Sequence, residues 1–490
     1  MKLDVLCKGI VEMHMGAENI PDICHITHDS RKVEAGSLFV AIEGAVFDGN
    51  QFISHACQLG AVAVLTASPE RVPCGLPILS CKEPRTAMAL LSRKLYGFPD
   101  RELEVIGVTG TNGKTTTAFI LDKLLSVKGL AGRIGTLSNY TGVSEELSIR
   151  ATPESSEVYQ LLREMVTQNC VYAAMEISSH ALMMHRVWGL TLRYAVFTNL
   201  THDHLDYHKS MDAYFKAKKR IFELLAPKGI ALINSDDPYC RMIQLKDQKM
   251  ITFGMDQHAD LRFDVLELTG GGSRAEFFMG DERQECWIPL IGKHNLYNFA
   301  AAALVARLEG ISWFDIAKRG CSLKPAPGRM ESLTLGQPFD VAIDFAHSPD
   351  ALENVLKSCR TITDGHVHVV FGAGGNRDNE KRPLMGIAAA RNADYLYVTS
   401  DNPRMENPST IIDEVTSQIQ EECRVGKCRT NSDRKEAIRD AFNRAKKGDL
   451  ILIAGKGHES MQEINGVLYP FNDRDVASQI IIDGGLNGPF

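Results

Sequence analysis

Gly110-Thr111-Asn112-Gly113-Lys114-Thr115-Thr116 has the residue types of a phosphate loop. It follows the short apolar run at 104–109 and precedes a stretch of helical periodicity, Thr115–Lys128, which is the context such a loop requires. Glycines let backbone N–H groups turn inward on phosphate oxygens, and a helix N-terminus adds the positive end of its dipole. Lys114 would bring a point charge to the β- and γ-phosphates, and Thr115 a hydroxyl to Mg²⁺. Val108 stands where the longer pattern has its first glycine, so the match is to a GxxGKT form. ATP binding is the expectation; the alternative is a glycine turn that only caps a helix.

Asn199–His208 packs His202, His204 and His208 with Asp203 and Asp206 into one short segment. HxHxD resembles the start of a dinuclear zinc hydrolase motif, but Tyr207 occupies the place of that motif's next histidine, and such a site needs no phosphate loop. A Mg²⁺ site fits better, because Mg²⁺ prefers oxygen ligands and tolerates an occasional imidazole. The competing reading is a loop of capping residues and satisfied histidines. Glu176 ends an apolar strand in Met-Glu-Ile-Ser178-Ser179-His180, where a carboxylate beside a phosphate loop is placed to hold the nucleotide's metal. The second glycine cluster, Gly372-Ala-Gly374-Gly375-Asn376-Arg377, lacks GxGxxG spacing, so NAD binding is not expected.

The elements that must position these groups alternate between strand and helix. A helix is expected around Phe52–Leu59 and a strand at Ala61–Leu65, then a turn-rich break near 96–100. Strands are predicted at Val171–Ile177, Tyr194–Asn199 and Gly229–Ile233, with helices between them, which argues for a mainly parallel sheet. A second break falls at 324–330. Beyond it the pattern restarts, with strands at Val341–Phe345, His366–Phe371, Tyr395–Ser400 and Leu450–Ala454 and helices from Ser348, Pro383, Pro408 and Asp433. The chain therefore divides at 1–98, 99–330 and 331–490, in line with about three domains for 490 residues at ~150 residues each.

Composition bounds the class. At 44% hydrophobic and 23% charged the chain is ordinary for a globular protein, so wholly disordered and fibrous classes are excluded. Apolar runs are far below the ~20 residues of a membrane helix, and charges interrupt MKLDVLCKGIVEMH where a signal peptide needs an apolar region. A net charge of −7 gives no footprint for nucleic acid. The 12 cysteines form no CxxC and read as reduced, mostly buried small hydrophobes in a cytoplasmic protein.

Taken together, GTNGKTT, MEISSH, NLTHDHLDYH, GKHNLYN, PGRME, DFAHSPD, DNPR and GKGHE resemble the Mur ligase superfamily, the ATP-dependent amide-forming ligases of peptidoglycan assembly. They occur in that family's order over nearly the whole chain, and the order is what makes the resemblance specific. It is nearest to the ligases that add 2,6-diaminopimelate to UDP-N-acetylmuramoyl-L-alanyl-D-glutamate. The resemblance implies an α/β protein of three domains: a small N-terminal α/β domain for the uridine nucleotide, a central P-loop ATPase domain, and a C-terminal Rossmann-like domain for the amino acid. It further implies a cytoplasmic monomer serving cell wall growth, cell shape and division. The expected reaction passes through an acyl phosphate, which the incoming amine attacks.

By the same resemblance, Thr115 and Glu176 are ligands of one Mg²⁺ and His204 of a second. Lys218, in Tyr214-Phe-Lys-Ala217-Lys218, matches the lysine that CO₂ converts to an anionic carbamate and metal ligand; on spacing alone it would be a solvated lysine. Further nucleotide contacts are Asn295, Asn298, Arg329, Asp344 and His347. Ser30, Thr152, Ser178 and Arg186 occupy positions for the UDP-sugar peptide. Phe345 replaces a tyrosine, Met184 a glutamine of some members, and Ala151 a threonine.

Asp401-Asn402-Pro403-Arg404 is the diaminopimelate form of the family's selectivity motif. A guanidinium fork grips the extra carboxylate of that amino acid through two charge-assisted hydrogen bonds, and repels the bare ammonium end of L-lysine. Arg377, Gly455 and Glu459 match the other diaminopimelate positions, and Asn407 stands where an acid is common. The alternatives are the same ligase using L-lysine, or another amide ligase such as folylpolyglutamate synthase.

Overall fold

The computed structural model describes residues 1–14, 20–44, 47–72 and 75–484. Three sheets follow one another along the chain. The first has five strands in the order Glu12–His14, Ile78–Ser80, Ala61–Thr66, Ser37–Val40, His25–Thr27, all parallel except the first pair. Helix Pro84–Leu95 covers it with Ala87, Met88 and Leu91, which join Leu38, Val40 and Leu65 in one buried cluster.

The second sheet has 11 strands. Seven consecutive neighbours are parallel: Leu261–Thr269, Lys249–Gly254, Leu225–Asn234, Leu192–Phe197, Glu104–Thr109, Cys170–Glu176 and Leu130–Ile134. The expected strands are present, and antiparallel strands extend both flanks. Gly272–Met279 and Glu282–Ile288 lie beyond one edge, Ser138–Tyr140 and Glu145–Leu147 beyond the other. Glu145–Leu147 and Glu282–Ile288 turn many side chains to solvent, and all four strands lack the βαβ spacing that makes a parallel sheet legible. Helix Lys293–Leu308 is buried from Phe299 to Ala306, where its alanine run lets it lie close against helix Lys114–Leu125.

The third sheet runs Glu331–Ser332, Asp340–Asp344, Leu450–Ala454, Val367–Phe371, Tyr395–Thr399, Cys428–Asn431, parallel after its first pair. Its helices start as the sequence indicates at Ser348 and Asp433, whose side chains cap Pro349–Ile362 and Arg434–Arg444. The helix expected from Pro383 begins earlier, at Lys381. Proline fits there because first-turn N–H groups have no helical partner. Cysteines among the described residues form no disulfide; Cys24 and Cys321 are exposed, and Cys74 lies outside the described residues. Among the described residues, no helix is long and apolar enough to cross a membrane.

Candidate functional site

The C-terminal strand ends of the second and third sheets face each other, and the loops leaving them supply the site. Gly110–Gly113 leaves the central strand Glu104–Thr109. Gly113 has φ +88°, and a Cβ there would run into Asn298 Oδ1. Thr198 and Asn199, from the adjacent strand end, strap the loop: Thr198 Oγ1 donates to Asn112 O at 2.6 Å, and Asn112 N donates to Asn199 Oδ1 at 2.9 Å. Lys114 Nζ donates to Gly110 O and Thr111 O, both at 2.8 Å.

Glu176 stands at the next strand end. Its carboxylate accepts from Thr115 Oγ1 at 2.9 Å, Thr136 Oγ1 at 2.9 Å and Thr136 N at 2.7 Å. Two hydroxyls and a carboxylate form an oxygen set suited to a hard divalent cation. Among the described residues, no group of three or more His, Cys, Asp or Glu could hold a metal. Phosphate and water oxygens would have to complete the shell. Arg329 donates to Thr115 Oγ1 at 3.3 Å and lies over the Phe345 ring at 4.8 Å. The aromatic face at Phe345 is thus in use without a hydroxyl.

Lys218, from helix Met211–Lys219, is 2% exposed and donates to Gly110 O at 2.6 Å. Burial, reinforced by Lys114, pushes its amine well below the ordinary lysine range, against the pull of Asp203. His204 has φ +56° and sits 3.6 Å from Asp203. Burial lowers its imidazole to about 3, leaving it neutral and able to ligate. Burial alone would raise the Asp203 carboxyl, yet His204, His347 and Lys381 together hold it below the usual range.

Residues from both sheets enclose three contiguous cavities. One of about 490 Å³ is walled by Asn295 and Asn298 on one side and by Asp344, His347 and Asp350 on the other. Asn112 Nδ2 crosses it to Asp350 Oδ2 at 3.1 Å. The second holds Lys114, Thr115, Glu176, Ser178, His204 and Lys218. The third, about 170 Å³, gathers Arg377, Asp401, Asn402, Arg404, Gly455 and Glu459. The second and third share Asp203, His204, Phe345, His347 and Arg377.

In the third cavity two loops are interlocked. Gly375 N donates to Asn402 O at 2.9 Å, and a Cβ on Gly375 would collide with Pro403. Arg404 NH1 donates to Gly375 O at 2.8 Å, and Pro403 leads it into φ +54°. Arg382, fully buried, pairs with Glu406 at 2.9 Å and Glu414 at 2.6 Å, and Glu406 accepts from Asn376 N. Asn407 caps helix Pro408–Thr416, accepting from Ser409 N at 2.9 Å. Burial raises the Asp401 carboxyl against the lowering effect of Arg434.

Thr152 donates to Glu176 O at 2.9 Å and accepts from Ser178 N at 3.0 Å, and Ser178 caps Ser179–Met183. Arg186 sits behind them, 2.9 Å from Glu154, which also binds Arg85 at 2.9 Å. Ser30 begins a turn whose Lys32 pairs with Glu157. Ser30 and Arg186 therefore lie along the seam between the first two sheets, and neither lines the three cavities above. Sequence reasoning missed Thr136, Lys381 and Lys456. Thr136 follows a strand with no motif around it, whereas Lys456 lies inside GKGHE and was readable there.

Three family models match the chain: "Mur ligase family, catalytic domain" at 22–96, "Mur ligase middle domain" at 108–306, and "Mur ligase, glutamate ligase domain" at 328–457. A Geobacillus kaustophilus protein described as UDP-N-acetylmuramoyl-L-alanyl-D-glutamate–2,6-diaminopimelate ligase is 40% identical over 474 residues, 95% of this chain and 96% of that one. A solved structure of a ligase of that description aligns with TM-score 0.67 at 30% identity, covering 99% of each chain. The ADP complex of the Thermotoga maritima MurF ligase shares the fold, with TM-score 0.64 at 21% identity over 94% of this chain and 96% of that one.

Proposed function

The chain belongs to the Mur ligase family, and on that footing we propose that it is the ATP-dependent ligase joining meso-2,6-diaminopimelate to UDP-N-acetylmuramoyl-L-alanyl-D-glutamate. In this reading residues 1–98 hold the uridine nucleotide, 99–330 hold ATP, and 331–490 bring the amino acid. The observation that carries it is the run of three cavities, in which the phosphate loop and the DNPR–GKGHE loops share walls at Asp203, His204 and His347.

The chemistry needs that continuity. A carboxylate acylates poorly, so its oxygen first attacks the γ-phosphorus of ATP, giving an acyl phosphate and ADP. The amine of diaminopimelate then attacks the acyl carbon, loses a proton and expels phosphate. Anion attacking anion requires positive charge at the phosphoryl group, which Lys114 and Arg329 supply from opposite sheets. Thr115 and Glu176 would hold one Mg²⁺, and His204 with carbamylated Lys218 a second; bound there, the ions neutralise phosphate charge. Asn295, Asn298, Asp344 and His347 enclose the nucleoside. Thr152, Ser178 and Arg186 orient the peptide carboxylate, with Ser30 toward the uridine.

Acceptor choice rests on charge. The far end of diaminopimelate is zwitterionic: Arg404 and Arg377 match its carboxylate, Glu459 its ammonium. L-lysine lacks that carboxylate and would leave Arg404 facing an ammonium. The cytoplasm, where these precursors and ATP occur together, is the compartment, and the product feeds wall synthesis, cell shape and division. Phosphate release from ATP with the UDP-linked dipeptide tests the assignment. Diaminopimelate should be required, and equal turnover with L-lysine would refute the acceptor assignment.

A further inference from the structure

Lys456 carries a charge to the base of the third cavity but does not line it. It is 0% exposed, and its ammonium has three acceptors: Met461 O at 2.7 Å, Glu459 Oε2 at 3.0 Å and Asn402 Oδ1 at 3.4 Å. Asn402 Nδ2 donates to the same Glu459 oxygen at 2.8 Å, and its Oδ1 also accepts from Glu463 N at 3.0 Å. The amide is therefore fixed: Oδ1 faces two donors and Nδ2 faces a carboxylate. Glu459 Oε1 takes part in none of these bonds, and Glu459 is among the residues that line the cavity.

Charge balance explains why a lysine belongs here. Asp401, Glu459 and Asp473 converge beneath the two loops. Arg434, 1% exposed, pairs with Asp473 at 2.7 Å and donates to Ala454 O at 2.8 Å and Ser400 O at 3.3 Å, the carbonyls just before each loop. Arg434 thus ties the loop bases through backbone, and Lys456 ties their tips through side chains. Lys456 thereby pairs at 3.0 Å with Glu459, the carboxylate that also lines the cavity.

We infer that Lys456 is a positioning residue for amino-acid recognition: it locks Glu459 and Asn402 into the arrangement that receives the acceptor's far ammonium, without touching that ligand. The inference rests on the diaminopimelate reading. Loss of a charge-assisted bond of this kind corresponds to about tenfold or more in affinity.

The test is steady-state kinetics on the full chain, with KM measured for all three substrates. In Lys456→Met the KM for diaminopimelate should rise at least about tenfold while kcat and the other two KM values stay near wild type. Lys456→Gln, which keeps one donor, should fall between. In a Glu459→Gln background the effect of Lys456→Met should shrink, since the group it positions is already altered. An unchanged diaminopimelate KM, a parallel rise in all three KM values, or full additivity with Glu459→Gln would overturn the role. Should circular dichroism show Lys456→Met unfolded, Lys456→Gln decides on the same criteria. Wild-type protein that turns over no diaminopimelate refutes the functional reading and this role with it. Wild-type turnover with a flat Lys456 series refutes this role alone.

Discussion

Lys218 and Lys114 donate to the same carbonyl oxygen, Gly110 O, at 2.6 and 2.8 Å. Two buried ammonium groups on one acceptor repel each other, and burial plus that repulsion favours the uncharged amine at Lys218. An uncharged amine is the form that attacks CO₂, and a carbamate at Lys218 would turn repulsion into attraction.

Removing CO₂ should therefore lower activity, and bicarbonate should restore it. Lys218→Ala should lose about 100-fold or more in kcat with little change in substrate KM. A ¹³C carbamate resonance in wild type, absent from the variant, would check the species directly; full activity of Lys218→Ala would sink the assignment.

Arg404→Ala should lower kcat/KM for diaminopimelate by about 100-fold or more without improving L-lysine use proportionately. Competition between the two acceptors measures the ratio. An unaltered ratio would place carboxylate recognition elsewhere.

Gly113→Ala forces a side chain to φ +88° and against Asn298. ATP affinity should fall about tenfold or more, with strain of about 1–3 kcal/mol. Adding Asn298→Ala should relieve the collision but not the backbone strain, so rescue should be partial by calorimetric titration.

Thr136→Val removes a hydroxyl from Glu176 and leaves the backbone N–H bond in place. The Mg²⁺ concentration for half-maximal activity should rise several-fold, as for loss of one partner in a metal's support. An identical Mg²⁺ dependence would exclude Thr136 from that role.

Burial lowers His208, His294 and His458 each to about 4, so the folded chain keeps them neutral where an unfolded chain, near 6.5, binds protons. Unfolding then takes up protons between about pH 4 and 6.5, and stability falls as pH falls through that window. Thermal midpoints should drop from pH 7.5 to pH 5, with a shallower slope in His208→Phe. A flat profile would contradict the neutral state.

The parallel strands and the phosphate loop were legible because buried runs flanked by glycine have few other solutions. Ser348 and Asp433 could be read as caps from local chemistry alone. The antiparallel flanks were not, since half-exposed strands resemble loops in composition. Lys114, Glu176, His204, Asn298 and Arg404, each within a motif, line the three cavities. Thr136 and Lys381 reach the site only through tertiary approach, and no local pattern marks them. Nor does sequence announce that His204, Met330, Asn376 and Arg404 adopt positive φ, a cost of about 1–3 kcal/mol each that surrounding contacts sustain.

The 490 Å³ cavity has one wall from each of two sheets, and Asn112 to Asp350 is the stitch across it. On the proposed reading of this cavity as the nucleotide site, neither wall alone is a receptor, so nucleotide affinity and docking of the two walls are linked. By reciprocity, whatever tightens docking tightens the nucleotide by the same factor. A small molecule lodged in that seam would act as an inhibitor without resembling any substrate, and its occupancy could be followed from the nucleotide isotherm alone.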